Sequence, residues 1–277
     1  MIDQGFDLTD REFLLFRELI YRETGITLSD KKKKLIVARL SKRLRALGLE
    51  SFTGYYQYLR ESPDADNEIV NLINRVTTNK TDFFREMHHF DFLLQDLFPR
   101  MAAEGRKTGS RRLRIWSAGC SSGEEPYSLA MTALEAFKKE RGWDIRILAT
   151  DLDTEILQKA IAGSYPAQAL APVPRDYVSR YFFRAGENYV VGDACKSIVA
   201  FRKLNLINGT FPMKHPFDII FCRNVIIYFD AKTKDALLKR YHSHLKNDGH
   251  MFIGHSESLM HMKDKFRFLK HTVYQKV

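Results

Sequence analysis

Leu113-Arg114-Ile115-Trp116-Ser117-Ala118-Gly119-Cys120-Ser121-Ser122-Gly123-Glu124-Glu125-Pro126 is the stretch on which the fold turns. The apolar run Leu113 to Ala118 is short enough for a buried strand. Two glycines, Gly119 and Gly123, come after it, and an amphipathic stretch, Glu124 to Lys138, follows with Pro126 suited to its first turn. The glycines are open to two readings: a tight strand-to-helix turn of a common kind, or a backbone left bare for the close approach of a ligand.

Outward from this unit the same rhythm repeats. Strands are expected at Ile145 to Thr150, Ile198 to Asn205, Phe217 to Cys222 and Met251 to Gly254, with a final pair near Phe266 to Leu269 and Val273 to Lys276. Helices are expected at Thr154 to Ala162 and Lys232 to Leu245. Strands alternating with helices of this length make right-handed βαβ units, hence an α/β fold with a mostly parallel, doubly wound, Rossmann-like sheet. The closing pair adds an antiparallel edge hairpin.

Between Gly163 and Cys195 the rhythm breaks, and Tyr181 to Phe183 and Tyr189 to Val191 flank a glycine-containing turn. A small β-subdomain inserted over about 164–196 is expected there. The front of the chain has no strand pattern: Phe13, Phe16 and Ile20, then Ile69, Leu72, Ile73 and Val76, recur at helical spacing. The division expected is an all-helical domain over 1–76, a polar joint over 77–87, and the sheet domain over 88–277.

The chain has 277 residues, 44% of them hydrophobic, enough for one α/β core and a small accessory domain. It has no apolar run of about 18 residues, and Met1 to Asp10 carry three acids and no basic leader, so a cytoplasmic protein without membrane insertion is expected. Cys120, Cys195 and Cys222 have no metal-ligand spacing, and His88-His89 read as a helix start, so no metal is expected. The net charge of +10 favours an acidic partner without choosing among nucleic acid, anionic lipid and protein.

Ligands of open α/β sheets sit beyond the carboxyl ends of the strands. At the second strand end stands Thr150-Asp151-Leu152-Asp153, with Asp151 placed for ribose hydroxyls and Asp153 for capping the next helix. The glycine loop lacks the full G-x-G-x-x-G and any basic residue, which favours a nucleoside without pyrophosphate, such as S-adenosylmethionine. Asn205-Leu206 follow the third strand, and Arg223, Asn224 and Tyr228 follow the fourth, where such polar groups are costly to bury unless paired. The D/N-P-P-Y/F signature of amino-group methylation on bases is absent, so no nucleic-acid substrate is expected.

Lys31 to Arg45, KKKKLIVARLSKRLR, holds eight basic residues and no acid. As a helix it gathers Ile36, Val37, Leu40 and Leu44 on one side and spreads Lys31, Lys32, Lys34, Arg39, Lys42, Arg43 and Arg45 over the other. That face is either a solvated surface or a dock for an acidic partner.

Five ordered segments resemble the chemotaxis receptor glutamate O-methyltransferases, the CheR family. They are Thr77 to Glu86 (TTNKTDFFRE), Trp116 to Ser128 (WSAGCSSGEEPYS), Thr150 to Asp153, Phe221 to Phe229 (FCRNVIIYF) and Gly254 to Ser258 (GHSES). The resemblance implies a class I methyltransferase that moves a methyl group from S-adenosylmethionine, released as S-adenosylhomocysteine, to receptor glutamates during bacterial chemotactic adaptation. It implies a cofactor site of Asn79, Thr81, Arg85, Glu125, Asp151, Asn205, Leu206, Arg223 and Asn224, with Arg85 and Tyr228 catalytic and Tyr228 near the transferred methyl.

It also tilts the basic segment toward docking on the cytoplasmic helical bundle of chemoreceptors, and implies a cytoplasmic enzyme recruited to membrane receptor arrays. Nothing in the sequence demands more than a monomer. Two departures stand out. Gly119-Cys120 replace the small alanines of some members. The hairpin between Tyr181 and Ile198 is several residues shorter than in members that grip a receptor's C-terminal peptide, which counts against tethering.

Overall fold

The computed structural model describes residues 5–277; the first four positions of the expected front domain lie outside the described residues. Its central sheet contains β1 (Arg112–Ala118), β2 (Asp144–Asp151), β6 (Val199–Lys203), β7 (Phe217–Cys222), β8 (Leu245–Ile253), β9 (Phe266–Lys270) and β10 (Val273–Lys276). The order is β6-β2-β1-β7-β8-β10-β9, parallel from β6 to β8, with β10 antiparallel to both β8 and β9. Winding runs outward from β1 to β6, then resumes on the other side of β1 at β7, so the topological switch lies between β1 and β7. Register sets the loops level: Ala118 pairs with Thr150, and Asp151 with Lys203, so the glycine loop and Asp151 emerge side by side.

β1 and β7 are buried along most of their length because both faces of the sheet are covered. Along β7, Ile219 and Phe221 join a core with Ile115, Phe252 and Leu129, whereas Ile220 and Cys222 join Trp116, Leu237 and Tyr241 on the other face. A buried Ile or Phe contributes about 1.5–3 kcal/mol. The first face is covered by α5 (His88–Phe92), α6 (Phe98–Thr108) and α7 (Glu124–Phe137), the second by α11 (Ala231–His244). Between them in sequence, α8 (Thr154–Ala162) starts at Asp153, whose side chain accepts the Ile156 N–H at 3.0 Å as a helix cap.

The inserted subdomain is a three-stranded antiparallel sheet of β3 (Ser164–Pro166), β5 (Asn188–Val191) and β4 (Phe182–Ala185), with helices α9 (Arg175–Tyr181) and α10 (Asp193–Lys196). The hairpin expected from sequence is β4 and β5. β3 escaped notice because three residues are too few to show a period. The Phe83 ring lies edge-on to Tyr165 and Phe182, with centroids 4.8 and 5.6 Å away, joining the insertion to the joint.

The front segment forms α1 (Asp10–Thr24), α2 (Lys33–Ala46), α3 (Phe52–Glu61) and α4 (Ala65–Val76) around a separate core that includes Phe16, Leu40, Phe52 and Leu72. Thr9 and Glu12 close a capping box on α1, and Gly25, at φ 72, ends it. A Cβ on Gly25 would stand 2.5 Å from Ile207 Cγ2, so this glycine lets the helix end meet the sheet domain. Four contacts hold that meeting: Ile26 bridges Phe229, Thr27 N–H donates to Tyr228 O at 2.9 Å, Asn205 Nδ2 to Glu23 O at 2.7 Å, and Tyr21 Oη to Asp230 at 2.6 Å.

The basic segment differs from its expected form in two ways. Lys31 and Lys32 lie in a 3₁₀ turn, Asp30–Lys32, before α2 begins. Arg39 and Arg43, assigned to the outer face, turn inward. Arg39 donates to Val76 O at 2.6 Å and Thr77 O at 2.8 Å, satisfying carbonyls left over at the end of α4, and Arg43 pairs with buried Glu68.

Burial alone would push the Glu68 carboxyl up, but hydrogen bonds from Arg43, Tyr55 and Asn71 hold it below the usual carboxylate range. A depressed folded-state pKa contributes stability above the unfolded value and loses it as pH falls through the folded one. Glu68→Ala should therefore cost about 2–4 kcal/mol at neutral pH in urea titrations, with the gap to wild type narrowing below about pH 4. An unchanged midpoint at pH 7 contradicts this.

Candidate active site

The carboxyl ends of β1, β2, β6 and β7 open into one pocket, roofed by the front helices and the joint. The glycine loop shapes its floor. Gly119 has φ 86, and a Cβ there would stand 2.4 Å from Val225 Cγ2, so the β1 and β7 loops can lie together only without a side chain at this position. Gly119 and Cys120 N–H both donate to Thr150 O, at 2.8 and 2.9 Å, folding the loop back over β2.

Asp151 binds this loop to its own strand end: Oδ2 accepts Ser121 N–H at 2.8 Å and Oδ1 accepts Asp153 N–H at 3.0 Å. Burial pushes its carboxyl up despite these bonds. Glu125, in the first turn of α7, accepts Ser117 Oγ at 2.7 Å, and burial raises it likewise, opposed by Arg223. An arriving cation favours the charged form of both acids.

Arg223 is the most constrained group of the site. Its residue is 5% exposed. Nη2 donates to the carbonyl of Arg85, and Glu86 Oε2 and Glu125 Oε2 each lie 3.7 Å away. Its Nε and Nη1 reach no hydrogen-bond acceptor. Two unspent donors on a buried cation fit an anionic or carbonyl-bearing ligand, which is what the amino-acid end of S-adenosylmethionine presents.

All the residues expected at the site line this pocket, but their side chains are not equally free. Asn79 Nδ2 is held by Asp153 Oδ2 at 2.7 Å, and Asn79 O accepts Ser121 Oγ at 2.9 Å. The Asn205 side chain is spent on Glu23 O and the Ile207 N–H. These two asparagines brace the wall. Arg85 Nη1 reaches only Lys80 O, at 3.1 Å, leaving most of its fork available. Thr81 and half-buried Tyr228 offer hydroxyls, Leu206 is buried against the wall, and Asn224 stands at φ 59.

Sequence reasoning missed the pocket's contribution from the first domain: Thr24, Ile26 to Leu28, Lys32 and Leu35 also line it. The only local signal was the helix stop at Gly25. It also missed Glu86, whose Oε1 accepts His255 Nδ1 at 2.9 Å, placing His255 beside the Arg223 cluster. Glu86, His88 and His89 bring ligand-type atoms within 4.8 Å of one another. The Arg223 guanidinium beside Glu86 opposes a cation there, and burial with the same guanidinium pulls His89 down to about 3, while its Nε2 lies 2.5 Å from His271 O.

Comparison with known proteins agrees with this geometry. The family profile described as CheR methyltransferase, SAM binding domain, matches residues 79–275, and that of its all-alpha domain matches 11–77. The chemotaxis protein methyltransferase of Borreliella burgdorferi is 38% identical over 98% of this chain and 96% of its own. Chemotaxis protein methyltransferase 2 of Pseudomonas aeruginosa is 41% identical over 98% and 95%, and the Escherichia coli chemotaxis protein methyltransferase 41% over 96% and 91%. With both of its domains matched in order and near full-length relatives at this identity, the chain belongs to the CheR methyltransferase family.

Proposed function

We propose that this protein transfers a methyl group from S-adenosylmethionine to glutamate side chains of chemoreceptors, as a step in chemotactic adaptation. The observation that carries the reading is the pocket at the β1/β7 switch, walled by both domains and holding a buried guanidinium with unspent donors. Bound S-adenosylmethionine supplies a methyl group on a sulfonium, already electrophilic.

The acceptor needs no strong base, because a glutamate of pKa about 4.3 is ionised at neutral pH. The residues' task is then placement. Arg85, with its fork largely free, holds the incoming carboxylate by paired hydrogen bonds, and Tyr228 orients it by its hydroxyl. Asp151 and Glu125 take the nucleoside, Arg223 and Asn224 the amino-acid end, while Asn79, Thr81, Asn205 and Leu206 close the walls. The roof of front-domain residues excludes water. Alignment and a dry site can supply about 7–11 kcal/mol of the barrier in well-oriented systems.

In this reading residues 1–76 dock on the receptor, 77–87 link and complete the cofactor site, and 88–277 carry the chemistry, with a monomer sufficient for all three. Docking falls to the exposed cations Lys31, Lys34 and Lys42, facing an acidic helical bundle and bringing the enzyme from the cytoplasm to membrane receptor arrays. The short β4–β5 hairpin is given no tethering role.

With methyl-labelled cofactor and receptor-containing membranes, label should appear on the receptor and leave as volatile methanol in alkali. Lys34→Glu with Lys42→Glu should slow that labelling at low salt without altering S-adenosylhomocysteine affinity. Alkali-stable label contradicts esterification, and salt-independent wild-type rates in the double variant contradict docking. Arg85→Ala should lose transfer by about a hundredfold or more, and Tyr228→Phe by less, as expected for a lost charged fork against a lost hydroxyl. Wild-type rates in both variants overturn these roles.

A further inference from the structure

Glu257 sits in the turn after β8, 7% exposed, in a segment with no assigned task. Its Oε2 accepts the N–H of Gly254 at 2.6 Å and that of Asn224 at 3.2 Å. The Ile227 N–H also acts on it favourably, whereas Oε1 is buried without a partner at hydrogen-bond distance. One carboxylate thus faces three backbone donors, two of them in the loop that carries Arg223, Asn224 and Tyr228.

That loop needs holding. Asn224 is one of the few non-glycine residues at positive φ, 59°, a conformation that persists where surroundings impose it. Gly254 presses on it from below: a Cβ there would meet Asn224 Nδ2 at 2.7 Å, Asn224 N at 3.0 Å and Glu257 Oε2 at 3.0 Å. The glycine allows the approach and the carboxylate fills the space between the two backbones. Burying a carboxylate is costly in itself, and a carboxyl here is pushed up by that burial. Apolar packing alone would be served better by another residue.

We propose that Glu257 is a positioning residue for methyl transfer, which with Gly254 locks Asn224 in its left-handed conformation and so aims the Arg223–Tyr228 loop into the cofactor pocket. It touches neither cofactor nor acceptor, and acts through Asn224. The inference rests on the reading of that pocket as the cofactor site.

Calorimetric binding of S-adenosylhomocysteine to the full chain and its variants tests it. Glu257→Ala should weaken binding about tenfold or more, the scale of a buried donor left unsatisfied. Glu257→Gln should stay within about threefold of wild type, because one amide oxygen can accept both bonds now made to Oε2. Adding Glu257→Ala to Asn224→Ala should cost less than about twofold beyond Asn224→Ala alone, the mark of two residues acting as one unit.

Additive losses in the double variant, or wild-type binding by Glu257→Ala, overturn the proposal. Should Glu257→Ala fail to fold, Gly254→Ala decides: its methyl group displaces the Asn224 amide, so affinity should fall, and wild-type affinity in a folded Gly254→Ala overturns the proposal too. A wild-type chain that binds no S-adenosylhomocysteine would sink the cofactor reading and this inference together, whereas failure confined to the variants sinks only this inference.

Discussion

A single buried cation at the end of β7 fixes the layout of the site. Removing a guanidinium from water costs several kcal/mol, and Arg223 recovers it from two carboxylates, one carbonyl and the faces of Phe90 and Phe221, whose centroids lie 5.9 and 5.8 Å from its Cζ. Those partners come from four places: Glu125 from the helix after the glycine loop, Glu86 and Arg85 from the joint, Phe90 from α5, and Phe221 from the strand itself. Satisfying one charge therefore draws the joint across the mouth of the sheet. Arg85, the residue read as the acceptor's clamp, is placed because its own backbone carbonyl is held by Arg223.

The front helices add a second constraint. Their contacts to Asn205, Tyr228, Phe229 and Asp230 fall on the carboxyl ends of β6 and β7, where ligands of this sheet sit. The roof is thus built from chain far away in sequence, and the pocket it covers sets Asp82, Glu125 and Asp151 among Lys32, Lys80, Arg85 and Arg223. Arg223 is buried and Asp151 and Glu125 are half-buried at the pocket wall, whereas Lys31, Lys34 and Lys42 stand exposed on the surface.

Much of this was legible from local sequence. β1, its glycine loop and α7 showed because an apolar run, two glycines and an amphipathic stretch each obey a short-range rule. Asp151 showed because a strand end is a place with a known use. What stayed hidden depended on distant partners. A helical wheel placed Arg39 and Arg43 on the outer face because it holds no record of Val76, Thr77 and Glu68, 25 to 38 residues away. Asn79 and Asn205 read as ligand contacts, yet their amides are committed to Asp153 and Glu23. The front-domain lining of the pocket and the role given to Glu257 lie beyond any pattern a single segment carries.

The measurement that bears most directly on the organising role of Arg223 is S-adenosylhomocysteine affinity of Arg223→Gln against wild type by calorimetry, with circular dichroism confirming that the variant is folded. Gln keeps a donor and much of the volume but removes the charge that holds Glu86, Glu125 and the Arg85 carbonyl together. A fall of about thirtyfold or more is expected, the scale of a truncated buried charge pair. Wild-type affinity in a folded variant would contradict the view that this cation assembles the site.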